Sequence, residues 1–288
     1  MMIHLQHGDY EAEVNPFGSE LAALRWRGLD LLWEGDPRWW GRRAPVLFPI
    51  VGRLNEDTLR HAGRAHHLPQ HGFARDLPWE TLEAHDSATT LRLHDSSETR
   101  EVYPFAFDLT QRAELSDGGL RATFTLMNPG SSDLIACLGV HPAFRWPLPG
   151  GRREEHRIVF ESDESDPVRR LKNGLLRKTS ESSPLATSFL LLNDALFVED
   201  ALIFDRLRSR RLQFTAPGAP VVELAWDFPH FGIWTKPGAP FLCLEPWQGF
   251  TDPEDFNGEF GDKPGTVRLA PGGTRRWSYC IAAREALP

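Results

Sequence analysis

Cysteine is scarce in this chain of 288 residues: Cys137, Cys243 and Cys280 are an odd set at wide spacing, which argues against a disulfide framework and for reduced thiols. Long apolar runs are missing too, since no stretch approaches the roughly 18 residues that a membrane-crossing helix needs. The opening Met1-Met2-Ile3-His4-Leu5-Gln6 has neither the basic start nor the apolar stretch of a secretory signal, so a soluble, cytoplasmic protein is expected. Positive charge is in deficit: 32 Lys and Arg against 40 Asp and Glu leave a formal charge of −8. Such a surface repels phosphate backbones and anionic lipid, so neither a nucleic-acid nor a membrane partner is expected. There is no Gly-x-Ser-x-Gly nucleophile motif, no phosphate loop and no Gly-x-Gly-x-x-Gly turn, so no cofactor is expected.

What is present is material for a core, with 41% hydrophobic and 25% charged residues, and alternation with a period of two. Phe105, Phe107, Leu109, Ala113 and Leu115 share one face, and after Asp117-Gly118-Gly119 so do Leu120, Ala122, Phe124 and Leu126, the signature of a hairpin. Similar strand-like runs fall at 10–14, 21–26, 29–33, 89–93, 134–140, 157–160, 201–204, 211–215, 221–226 and 241–244, with Trp277, Tyr279 and Ile281 in a last one. The helical candidates are short, as at 98–102 before Pro104, and 24 glycines with 23 prolines punctuate the chain. These features predict an all-β fold, one large antiparallel sandwich or barrel over 1–288 with few short helices. The polar stretch 161–183 reads as a surface excursion with some extended structure, not a domain boundary.

Three segments place an ionisable side chain among glycines, prolines and aromatics: 70–75 (Gln-His-Gly-Phe-Ala-Arg), 139–144 (Gly-Val-His-Pro-Ala-Phe) and 243–247 (Cys-Leu-Glu-Pro-Trp). A strand ending at Glu245 and stopped by Pro246 would leave the carboxylate at a sheet rim, partly desolvated and suited to a general base; a rim glutamate paired with an arginine is the plainer alternative. His141, after 134–140 and before Pro142, suits a general acid or a hydrogen-bonded turn histidine. His71 lies in a loop between Pro69 and Gly72. His61, His66 and His67 nearby invite a metal reading, but Pro69 breaks any helix that would align His67 with His71, so hydroxyl contacts are favoured and no metal is expected. Arg53, behind Gly52, could grip hydroxyls or a phosphate, or form a surface ion pair. Trp247, beside Glu245, offers an apolar face of the kind that packs on a pyranose; the other tryptophans and phenylalanines near these segments read as core.

Taken together, 48–54 (Phe-Pro-Ile-Val-Gly-Arg-Leu), 70–75, 139–144, 200–204 (Asp-Ala-Leu-Ile-Phe) and 243–247 resemble the aldose 1-epimerase (mutarotase) superfamily, closest to its LacX-like branch. The resemblance implies a galactose mutarotase-like β-sandwich (supersandwich) with a cofactor-free cleft across one sheet. It implies Glu245 as general base and His141 as general acid, with Arg53, His71 and Asp200 on the ring oxygen and hydroxyls, and Gln70 and Arg75 where hexose-phosphate relatives hold substrate. The expected activity is interconversion of the α and β anomers of a hexose, acting as monomer or homodimer on a small sugar or sugar phosphate. Gly52-Arg53-Leu54 stands where galactose mutarotases have Asn-Arg-Ile, so the resemblance does not imply free galactose as the preferred sugar, and Arg53 and Arg75 keep a hexose 6-phosphate open as substrate. The competing readings are a non-catalytic carbohydrate-binding or sensing protein, and a glycoside hydrolase or lyase, which would need a second carboxylate such as Asp200 beside Glu245.

Overall fold

A computed structural model describes every residue except 186 and 287–288. Two large antiparallel sheets carry the architecture. One has nine strands, running from Phe189–Leu191 at one edge through Arg157–Phe160, Arg211–Thr215, Val221–Trp226, Thr274–Arg284, Gly119–Met127, Asp108–Ser116 and Ala88–His94 to Glu80–Ala84. The other runs from Leu175–Glu181 through Val168–Lys172, Leu202–Phe204, His230–Trp234, Phe241–Gln248 and Leu138–Val140 to Val46–Leu47, with Ala143–Arg145 also pairing on Phe241–Gln248. Their inner faces meet through aromatic pairs: Trp226 on Phe231 at 4.4 Å, Phe160 on Phe204 at 5.7 Å and Phe144 on Phe214 at 6.4 Å. A four-stranded sheet, Ile3–His7 to Leu29–Asp30, flanks them, and helix is confined to short turns such as Ser97–Val102, capped by Ser96. No helix among the described residues is long and apolar enough to cross a membrane.

The hairpin forms with Asp117-Gly118 at its tip, Ser116 facing Gly119, and Leu109, Ala113, Leu115, Leu120, Ala122, Phe124 and Leu126 buried. Its first strand begins at Asp108, so Phe105 and Phe107 pack in the core from the connection before it. The run 134–140 is two strands rather than one. Leu134–Ala136 pairs with Val267–Leu269, whereas Leu138–Val140 joins the eight-stranded sheet. The change of sheet falls at Cys137, whose N–H leaves both ladders to bond the Pro49 carbonyl at 2.8 Å. The expected strand 29–33 shortens to Leu29–Asp30, because Leu31 to Trp33 turn away to contact Phe144 and Ala143. The stretch 161–183 contains the hairpin Val168–Lys172 and Leu175–Glu181, which extends the eight-stranded sheet.

Candidate active site

The strand Phe241–Gln248 runs through the middle of the eight-stranded sheet. Its even-numbered Leu242 and Leu244 face the sandwich core, which sends Cys243, Glu245 and Trp247 to the outer face. Contrary to the expectation of a strand stopped at Pro246, pairing continues through it, with Phe231 opposite Pro246 and Gly232 opposite Glu245. Glu245 is therefore central in its strand, not at a rim. Proline is tolerated because Leu244 donates its N–H toward Pro142, so the next residue of the same parity, Pro246, turns its missing N–H to that side too, where the neighbouring chain leaves the ladder at His141-Pro142. Either side of that break, Gly139 faces Trp247 and Ala143 faces Cys243 in one register, which sets His141 level with Glu245.

The outcome is an approach of His141 Nε2 to Glu245 Oε2 at 3.2 Å. It lacks hydrogen-bond alignment, for Oε2 has no hydrogen-bond partner. Glu245 is only 1% exposed, and burial first, then the charge of Asp200, push its carboxyl well above the usual range, opposed by the Trp247 indole. Burial lowers His141 to about 3, helped by the positive charges of Arg75 and Arg42. Both shifts act in the same sense, since burial disfavours a separated pair of charges.

Around this pair lies a cleft of about 270 Å³. Trp247 stands two residues beyond Glu245 on the same strand face, and its position depends on two missing side chains: a Cβ at Gly232 would come 2.2 Å from the indole, and one at Gly139 2.7 Å. Trp40 leans over the His141 ring at 4.7 Å, Trp234 meets it edge-on at 5.7 Å, and His71 at 5.9 Å. The His71 backbone is left-handed, φ 66°, and is held by its N–H to the Gly52 carbonyl at 2.7 Å. Its Nδ1 accepts the Gly52 N–H at 3.1 Å, so the proton of the neutral ring sits on Nε2. Burial first, then His141, Arg75 and Arg42, keeps this ring well below the ordinary histidine value, in agreement with a neutral donor.

Gln70, Arg75 and Asp200 also line the cleft. Arg75 gives a hydrogen bond from Nη2 to the Gln70 carbonyl, while its buried Nε pairs with the Asp76 carboxylate at 3.5 Å, without hydrogen-bond alignment. Asp200, with φ 70°, stands exposed at the mouth, one oxygen accepting the Ala201 N–H. Arg170 secures that loop, giving its guanidinium to the carbonyls of Leu196 and Asp200 and to Glu181. Arg53 is not among the cleft-lining residues: its guanidinium forms a two-pronged pair with Asp57 at 2.7 Å on each arm, the surface ion pair of its plainer reading. His61 packs on Phe105 and His66 bonds the Glu101 carbonyl, so these two rings are engaged away from His71. Trp40, Trp234, Leu171, Ile203 and Thr251 complete the wall without having been singled out in the sequence for substrate contact. Trp40 sits in a turn that nothing in its neighbours marks as special, whereas Trp234 was visible as the cross-strand partner of Cys243 once the register was known.

Comparison with known proteins gives a consistent picture. The family described as Aldose 1-epimerase matches residues 1–275. The plasmid-borne and chromosomal forms of protein LacX from Lactococcus lactis subsp. lactis are 28% and 29% identical to this chain, over 98% of it and 99% of theirs. Among solved structures, a galactose mutarotase related enzyme from Lactobacillus acidophilus superposes with a TM-score of 0.92 at 31% identity, over 99% of this chain and 98% of that one. A galactose mutarotase-like protein from Lactobacillus casei gives a TM-score of 0.92 at 28% identity, over 99% and 100%.

Proposed function

This chain belongs to the aldose 1-epimerase family, and on that premise we propose that it interconverts the α and β anomers of a hexose by opening and reclosing the ring. The observation that carries this reading is the 3.2 Å approach of His141 Nε2 to Glu245 Oε2 at the floor of a cleft walled by tryptophans. The pyranose lays its C–H face against Trp247. Hydroxyls of the sugar then solvate charge that the empty site does not, and the proton shared by the pair passes across that short gap to the imidazole. Glu245, now a carboxylate, takes the proton of the anomeric hydroxyl. His141 gives its proton to the ring oxygen, the C1–O5 bond breaks and the aldehyde forms. Rotation about C1–C2 presents the other carbonyl face, and reclosure returns both protons, so the pair ends as it began. His71, with its proton on Nε2, is a fixed donor to the ring oxygen or a hydroxyl, and Asp200 an acceptor.

A second reading, a hexose 6-phosphate as substrate, is favoured by one observation: Arg75 lines the cleft with Arg42 near it, two guanidiniums that share the single carboxylate of Asp76, and burial first, then the charge of Arg42, lowers the Arg75 pKa. Exchange spectroscopy of the anomeric protons of glucose, galactose and glucose 6-phosphate tests both. Faster exchange with the free sugars supports the first reading, and acceleration confined to the phosphate supports the second. Saturable binding with no faster exchange of any sugar would reduce the protein to a carbohydrate-binding module.

A further inference from the structure

We propose that Cys243, His141 and Glu245 form a coordination site for Zn²⁺, and that its occupation shuts the acid/base pair down. Cys243 has no part in the ring-opening chemistry, yet it is buried two residues before Glu245 on the same strand face, opposite Ala143 and Trp234. One nitrogen of His141, the sulfur of Cys243 and a carboxylate oxygen of Glu245 all lie within 4.8 Å of one another. A tetrahedral zinc with bonds of about 2.0–2.3 Å holds its ligands about 3.3–3.8 Å apart. The His141–Glu245 edge is 3.2 Å, so closing the longest edge asks only for a small rotation of side chains. Independently of that spacing, Oε2 of Glu245 is buried with no hydrogen-bond partner, and it is this oxygen that approaches His141.

The donor set selects the ion. A thiolate disfavours Mg²⁺ and Ca²⁺, a carboxylate is a poor ligand for Cu⁺, and sulfur, imidazole and carboxylate oxygen together suit Zn²⁺. Charge agrees: the thiol releases its proton to solvent, the carboxyl likewise, and two anionic ligands with a neutral imidazole exactly offset a dication in a site that tolerates no net charge. His141 and Glu245 line the cleft, which gives an ion its way in, whereas Cys243 is not among the lining residues. A bound ion takes up both the group that must accept a proton and the group that must give one, so it acts as an inhibitor rather than a cofactor.

Binding does not depend on the proposed activity, and the two are separable by experiment. Titration of the full chain with Co²⁺, a spectroscopic stand-in for Zn²⁺, is expected to give thiolate-to-cobalt charge-transfer absorption at one equivalent, abolished by Zn²⁺. Cys243→Ala should remove that absorption and weaken Zn²⁺ binding by about 100-fold, with Cys243→Ser as the substitute if the alanine variant does not fold by near-ultraviolet circular dichroism. Cys280→Ser, at the partly exposed cysteine, should leave the band intact. In the wild type, Zn²⁺ should slow anomer exchange and EDTA restore it. No charge-transfer band in the wild type, or one that survives loss of Cys243, would overturn the site. A band without any catalysed exchange would keep the site and end the proposed function, whereas exchange indifferent to Zn²⁺ with no band would do the reverse.

Discussion

Glu245 illustrates what a folded chain does to a single carboxyl. Buried beside a thiol, an imidazole and an indole, it has one oxygen without a hydrogen bond, which is costly for stability and useful for proton transfer. Glu245→Gln keeps the shape and removes the exchangeable proton, so it should lower the catalysed exchange rate by roughly 10²–10⁴-fold. Its melting temperature, followed by circular dichroism, should equal or exceed the wild-type value; a lower one would mean that the carboxyl is a structural anchor. Trp247 depends on Gly232 in the opposite sense. Gly232→Ala drives a methyl into the indole and should cost about 1–3 kcal/mol in urea unfolding, with weaker sugar binding. Glu245 and His141 were legible as candidates because each stands beside a proline after an apolar strand run, where an ionisable group has no ordinary packing role. Arg53 was misleading for a matching reason: its partner Asp57 lies four residues on, across a turn in which Glu56 and Asp57 both have positive φ, a conformation that their side chains do not announce.

Strands were legible wherever one face is buried and the other wet, as in Arg157–Phe160, Arg211–Thr215 and Val221–Trp226. Alternation fails where both faces are covered. The run 134–140 is buried throughout, so nothing in its pattern marked the change of sheet at Cys137, and Pro246 hid the continuation of the site strand. The hairpin Val168–Lys172 and Leu175–Glu181 is mostly polar, so it read as a surface excursion with some extended structure, yet it brings Leu171 and Gly174 to the cleft. Arg170 on this hairpin ties it to the loop of Asp200. Arg170→Ala should therefore raise KM for the sugar severalfold while kcat changes less, since Glu245 and His141, the proposed acid/base pair, are held by other elements. Arg170→Lys, which keeps charge but not the fork of donors, should recover only part of the loss. A fall in kcat with KM unchanged would remove Asp200 from substrate binding.

At the scale of the whole molecule, the site strand is held from behind by the other sheet. Phe231 pairs with Pro246 along the strand and packs on Trp226 and Phe160 across the interface. Phe231→Ala should cost about 3–5 kcal/mol in urea unfolding; a cost below 1 kcal/mol would show that the sheets are not coupled there. The sandwich as such was legible from strand density and turn spacing, but which strands become neighbours was not, because pairing joins segments a hundred residues apart, as His141 is from Glu245. That convergence is the central claim, and a double-mutant cycle tests it most directly: anomer exchange rates for the wild type, Glu245→Gln, His141→Asn and the two combined. If imidazole and carboxyl serve opposite ends of one hemiacetal, each single change removes most of the catalysis and the combination is scarcely worse than the poorer single variant. Losses that multiply, or a double variant that still accelerates exchange as the wild type does, would contradict it.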